Sequence, residues 1–406
     1  MKYPAGFWNY NSLGEGNFDY IKDWEDLGFT VPMSPLYDPD QDDIRAMYRI
    51  LDAAHEKGMK VIVNDKRSYW SVLTEKGEGA YREGFQEILR DFGDHPAVFG
   101  FHVGDEPNKE QFDDACLAQS IQEEMSPKHY SFLNLLPWHY GIEDRIGYVD
   151  FGKYLDDYCA KSKTKFICYD CYSQMNPGET GFDMYFYNLK KYWQASLKND
   201  APFWTTLLGI GHFNYRIPSY DDVRWQISTA ATHGAKGILW FYIYLNTPGF
   251  SNYRQASVNE HGRRTDVFYH IADNMKSFLN VFGDTLMRLN LDHVWHYGRC
   301  YGGFPMYVPD EETKMLTSTN NCPLILSYFT SDKNEDFIML VNNSTTTNTY
   351  ARADPCEAGK KIFMCYPGNE INEIRLTQDS PHLEYTDDLT ILGHWLSPGQ
   401  AVTAGI

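Results

Sequence analysis

The residues best suited to chemistry sit together in one stretch, HPAVFGFHVGDEPN, from His95 to Asn108. Val98 to Val103 reads as a buried strand that runs into the acidic pair Asp105–Glu106 and then into Pro107, which cannot continue a sheet. Side chains alternate along a strand, so His102, Gly104 and Glu106 are expected on one face and Asp105 on the other. Gly104 leaves room for a close approach. The chemistry this arrangement offers is proton transfer by a carboxyl at a strand tip. The plainer reading is that Asp105 caps a helix starting near Lys109.

Seven other apolar runs accompany this one. They begin near Gly6, Phe29, Val61, His129, Phe166, Phe203 and Ile238, and successive starts lie 23 to 37 residues apart. Helical patterns separate them: in Asp42 to Gly58, residues Ile44, Met47, Ile50, Leu51 and Ala54 share a face before a glycine stop. Asp113–Glu124 and Asp221–Gly234 read the same way. Strands alternating with helices require parallel pairing and right-handed crossovers, and eight such units close into a (β/α)8 TIM barrel. No GxGxxG follows the first run, which removes the main ground for a doubly wound sheet.

A barrel of this kind collects the C-terminal ends of its strands at one site. Those ends supply Trp8 and Asn9, Asp65, Asp105 and Glu106, Asn134 and Trp138, Asp170 and Tyr172, His212, and Trp240 and Tyr242; Glu260 follows in the loop after the last run. Carboxylates and amides bind hydroxyls, and aromatic rings cover the apolar faces of sugars. The chain is also rich in aromatics, with 10 Trp, 30 Tyr and 24 Phe. A small-molecule carbohydrate partner is therefore expected, with Glu106, Asp170, Asp65 and Glu260 as the carboxyls that could act on it.

Beyond Leu289 the pattern changes to short alternating runs with turn signals: Cys322–Phe329, Asp336–Asn342, Lys361–Cys365, Glu370–Arg375, Thr390–Leu396 and the tail from Ala401. The expected organisation is a barrel over residues 1–289 and an antiparallel β-sandwich over 290–406. The net charge of −19 argues against a nucleic-acid partner. No apolar run approaches the length of a membrane span, and no secretory leader is evident, so a cytoplasmic location is expected, or a secreted one if a leader has been removed. The eight Cys are scattered; Cys168 and Cys171 form a CxxC inside a strand-like run, where the two thiols would point to opposite faces. No cofactor is expected. Nor is a metal site, because the sequence lacks HExxH and a second CxxC.

Three segments carry a family resemblance: HPAVFGFHVGDEPN, ATHGAKGILWFYIY, and NEHGRRTDVFYHIADNMKSFLNVFGDTL, with LSPGQAVTAGI at the end. In order of elements the chain resembles the clan-A type of glycoside hydrolase, in particular its β-galactosidase-like bacterial members, which join a (β/α)8 barrel to a β-sandwich. The resemblance implies that Glu106, ending the fourth run, is the acid/base and that a second carboxyl assists it; Asp170 is the first choice, ahead of Asp65 and Glu260, and a wide separation of the pair would favour inversion. The residue before it is usually Asn in that family and is Asp105 here. The family nucleophile is a Glu ending the seventh run, yet FWTTLLGIGHFNYR contains no acidic residue, and His212 stands roughly in its place. A carbohydrate-binding barrel without hydrolytic activity is the alternative reading. Such barrels often associate through outer helices or sandwich faces, so a homo-oligomer is also expected as a partner state.

Overall fold

The computed structural model describes residues 2–14, 19–179, 181–245, 251–311, 313–354, 362–365, 371–374, 383–386 and 389–405. Its centre is a curled parallel sheet of seven strands: β1 (Ala5–Phe7), β2 (Val61–Val63), β3 (Val98–Asp105), β4 (Tyr130–Leu135), β5 (Ile167–Asp170), β6 (Phe203–Leu208) and β7 (Ile238–Phe241). Their order is β1-β7-β6-β5-β4-β3-β2, which makes the first and last strands neighbours.

The run beginning at Phe29 does not form a regular strand, which corrects the expectation of eight. Pro32 and Pro35 each remove a ladder donor, so the ladder between β1 and β2 stays open. An extended segment over 30–37 occupies the opening. The Val31 amide donates to the Ala5 carbonyl (2.8 Å), the Ile62 amide to Pro32 (2.9 Å), and the Ser34 amide to Ile62 (3.0 Å). Gly6 permits this approach, since a Cβ there would lie 2.0 Å from the Val31 carbonyl oxygen.

The crossover helices form where their caps predict. Asp43 caps Ile44–Glu56, and Ser219 with Asp222 makes a capping box for Tyr220–Thr232. Alternate strand residues serve two cores. Val61, Val63, Leu133, Leu135, Tyr169 and Trp240 face the helices. Ile62, Phe99, Phe132, Phe166, Cys168, Trp204 and Leu239 fill the concave side, where Phe166 and Trp204 pack with ring centroids 4.4 Å apart. This aromatic floor closes the lower half of the interior. The next inward residue along each strand lies above it, and there the sequence turns polar: His102, Asn134, Asp170 and Thr206.

The C-terminal region begins with β8 (Leu289–Tyr297) and continues through β9 (Met315–Ser318), β10 (Leu324–Ser331), β11 (Asp336–Asn342), β12 (Thr349–Asp354), β13 (Ile362–Cys365), β14 (Ile371–Ile374), β15 (Leu383–Thr386), β16 (Leu389–Leu396) and β17 (Ala401–Gly405). Two four-stranded antiparallel sheets, β17-β11-β10-β8 and β15-β16-β12-β9, contribute to one apolar cluster that includes Leu326, Leu340, Ala351 and Leu396; β13 pairs with β14. The first sheet also rests on the helix Tyr220–Thr232, where Trp225 is fully buried, stacks on Phe182 and donates Nε1–H to Asn343 Oδ1 (2.9 Å). Trp225→Ala is expected to cost roughly 3–5 kcal/mol, read as a lower denaturation midpoint, because it removes both a large buried side chain and the hydrogen bond that joins the two regions. An unchanged midpoint would mean that this contact does not hold the sheet.

Candidate active site

The C-terminal end of the parallel sheet brings three carboxyls together. A bulge lies between His102 and Gly104 of β3, opposite Phe132 and Leu133 of β4, so Asp105 pairs with Asn134. Strict alternation had put Asp105 on the far face from His102; the bulge corrects this and turns it inward. Gly104 is required at that point: its φ is +151°, and an added Cβ would fall 1.8 Å from the Trp70 ring. Glu106 follows with φ +45°, a left-handed conformation that costs a non-glycine residue on the order of 1 kcal/mol and aims its carboxyl back toward β5. Its amide donates to the Asn134 carbonyl (2.9 Å), which ties the turn to β4.

Asn134 is the hub. Its Nδ2 donates to Asp105 Oδ1 (3.1 Å) and to Asp170 Oδ1 (2.8 Å). Glu106 and Asp170 interact directly, side chain to side chain, and Arg145 Nη2 reaches Glu106 Oε2 at 3.0 Å. Burial and then the Asp170 charge push the Asp105 carboxyl up to about 7, against the pull of Asn134. Glu106 is raised by burial, then by Asp170 and Asp105, and Asp170 is raised by burial. The pair therefore holds a proton well above the usual carboxylate range.

Beside Asp105 opens a pocket of about 360 Å³, walled by Trp8, Tyr10, Tyr69, Trp70 and His102, with Asn9, Asn64 and Gln111 as polar members. Trp8 meets His102 edge to face at 5.2 Å and stacks on half-exposed Tyr10. Burial lowers His102 to about 4, so its ring is neutral; Nδ1 lies 3.3 Å from Asn64 Oδ1, which also accepts from the Tyr69 hydroxyl (2.6 Å). Tyr172, His212, Phe241, Tyr242 and Tyr253 form a second aromatic group, edge to face except where His212 lies tilted on Phe241. His212 is neutral as well, lowered to about 4 by burial.

The structure thus brings Trp8, Asn9, Asp105, Glu106, Asn134, Asp170, Tyr172, His212 and Tyr242 to one end of the sheet. It does not bring the others. Asp65 is buried under Arg67, which grips both its oxygens (3.1 and 2.8 Å). Trp240 faces the helix layer, one residue out of phase with Leu239. Trp138 packs on Tyr187 and Tyr140 at the outer edge, and Glu260 lies in an exposed turn beside His261. Two members escaped the sequence reading. Tyr10 lies beyond the end of β1, and its phenol is raised by burial and then by the three carboxyls it faces. Arg145 sits in a short helix after β4, and nothing in its spacing links it to Glu106. Among the described residues no cluster of His, Cys, Asp and Glu has the geometry of a metal site.

The titration has a consequence for stability. The folded state holds the Asp105 proton more tightly than the unfolded chain does. Its favourable contribution is complete below about pH 4 and is lost as pH rises through about 7. Asp105→Asn, which keeps the shape without the charge, is expected to raise the melting temperature at pH 8 and to change it little at pH 4. Equal shifts at both pH values would show that charge is not the cause.

No protein-family model matches the sequence, and no curated protein matches it. Solved structures do. A family 39 glycoside hydrolase from the gut symbiont Bacteroides cellulosilyticus aligns over 99% of this chain and 80% of its own, at 11% identity and a TM-score of 0.56. A GH42 β-galactosidase from G. stearothermophilus aligns over 95% of both chains at 9% identity and 0.55. For the β-galactosidase of the psychrophilic Marinomonas ef1 the values are 70% of this chain, 62% of that one, 12% and 0.51, so this chain spans about three-fifths of that protein's length. The chain shares the curled α/β fold of these solved glycoside hydrolase and β-galactosidase structures.

Proposed function

We propose that the chain is a glycoside hydrolase acting on a neutral glycoside or short oligosaccharide, with Glu106 as the proton donor and Asp170 as its partner carboxyl. The observation that carries this reading is the convergence of Asp105, Glu106 and Asp170 on Asn134, with raised pKa values, beside an aromatic pocket large enough for a sugar ring. A glycosidic oxygen leaves as an alkoxide unless it is protonated as the bond breaks. A carboxyl that keeps its proton near neutral pH meets that need, and an ionised Asp170 in contact with Glu106 keeps it there. The aromatic walls supply faces for the sugar ring, and Asn9, Asn64 and Gln111 supply partners for hydroxyls. The negative rim disfavours anionic sugars. In this reading the segment 30–37 serves as the second stave of a (β/α)8 barrel over 1–289, and residues 290–406 form a β-sandwich that braces it.

One observation favours a second reading, a barrel that binds sugar without cleaving it: β6 and its following turn present His212 where the resemblance puts a nucleophile. The leaving group separates the two. Aryl glycosides of both anomers are hydrolysed under the first reading. Glu106→Gln is then expected to lower kcat/KM by about 10²–10⁴ on phenyl glycosides and far less on dinitrophenyl glycosides, whose leaving group needs no proton. Binding by calorimetry with no turnover of any member would establish the second reading.

A further inference from the structure

The reaction lacks an attacking group, and the structure narrows where one comes from. No Asp or Glu lies between Phe203 and Tyr220, the stretch that forms β6 and its loop. The next two, Asp221 and Asp222, begin a helix; they are committed to Arg224 and to Arg216 with the Ser219 cap. Asp65 is committed to Arg67. Asp170 touches Glu106 and so stands on the same side of any scissile bond. A protein nucleophile must instead face the acid across the anomeric carbon, about 5–5.5 Å away, and a water-activating base farther still. Of the acidic residues considered, Asp105 remains among the described residues, immediately before the acid in sequence and on the wall of the pocket. Next to it Asn134 Oδ1 is buried without a partner, while its Nδ2 is fully used. Asp105 is thus the carboxyl acceptor on the pocket wall, and the Tyr10 phenol, on the same wall, faces it as a donor. Trp8 and Trp70 add apolar wall. An acceptor for an N–H, a donor for a carbonyl and an apolar wall for a methyl make up the complement of an acetamido group.

Resting on the glycosidase reading, we propose that the substrate is a glycoside of a 2-acetamido sugar whose own amide oxygen attacks the anomeric carbon. The bond from C1 to the leaving oxygen breaks as the bond from the acetamido oxygen to C1 forms, and the Glu106 proton goes to the leaving oxygen. The amide N–H proton passes to Asp105, which leaves a neutral oxazoline. Water then adds to C1 and gives its proton to Glu106. The C1–oxazoline oxygen bond breaks, and Asp105 returns its proton to nitrogen. The net reaction is hydrolysis with retention. Attack from the 2-position requires the leaving group on the opposite face, so only 1,2-trans glycosides react.

The test compares phenyl 2-acetamido-2-deoxy-β-glucoside and β-galactoside with their 2-hydroxy parents, followed by N-fluoroacetyl and N-trifluoroacetyl versions of the better substrate. The acetamido sugars are expected to turn over at least 10²-fold faster, α anomers not at all. The rate should fall steeply with each added fluorine as the carbonyl loses nucleophilicity. Asp105→Asn should abolish the preference for acetamido substrates. Equal turnover of acetamido and hydroxy sugars, with both lost in Glu106→Gln, would overturn this inference and leave the glycosidase reading standing. A fluorine-independent rate would overturn it too. No turnover of any glycoside would overturn both.

Discussion

The site is governed first by the burial of three neighbouring carboxyls and then by their mutual repulsion. Two unit charges about 4 Å apart repel by about 4 kcal/mol at an effective dielectric near 20. That is enough to move a carboxyl from the acidic range to neutrality. Asp105 and Asp170 share the Asn134 amide, Glu106 joins Asp170, and the Arg145 guanidinium, at the edge, opposes their mutual repulsion. The group cannot ionise fully at neutral pH. A retained proton follows from the packing, and a proton donor is what such a cluster offers.

Holding like charges together has a cost in stability, and the rest of the fold meets it. The aromatic floor of Phe99, Phe132, Phe166 and Trp204 fills the interior beneath the carboxyls, so the polar layer can form only at one end of the strands. The antiparallel sheets bind the helix layer through Trp225 and do not reach the carboxyls in any contact described, which suits a bracing role. Two residues with positive φ, Gly104 and Glu106, aim the site where β3 leaves the sheet.

Much of the site could be read from chain order. Strand parity gave relative placement: Cys168 and Cys171 take opposite faces, as their spacing requires. It misplaced Trp240 and Asp65 for related reasons. A strand end has two faces, and being near the tip of a strand does not say which face a residue takes. Trp240 lies one residue out of phase. Asp65 is captured by Arg67 two residues on, a local ion pair that its spacing leaves undecided.

The sequence by itself determined the alternation of strands and helices, the position of the acidic pair at a strand tip, and the absence of a carboxylate along β6, because these depend on periodicity and residue type within single elements. Tertiary structure alone decided that Asp105 faces inward, since the bulge that turns it is a register shift between β3 and β4 and belongs to neither strand. It alone placed Tyr10 and Arg145 on the carboxyls. It also replaced one regular strand with the segment 30–37, because its prolines forbid a ladder while its remaining amides still find partners on both sides. Pairing between segments distant in sequence decides such matters, and nothing local encodes it.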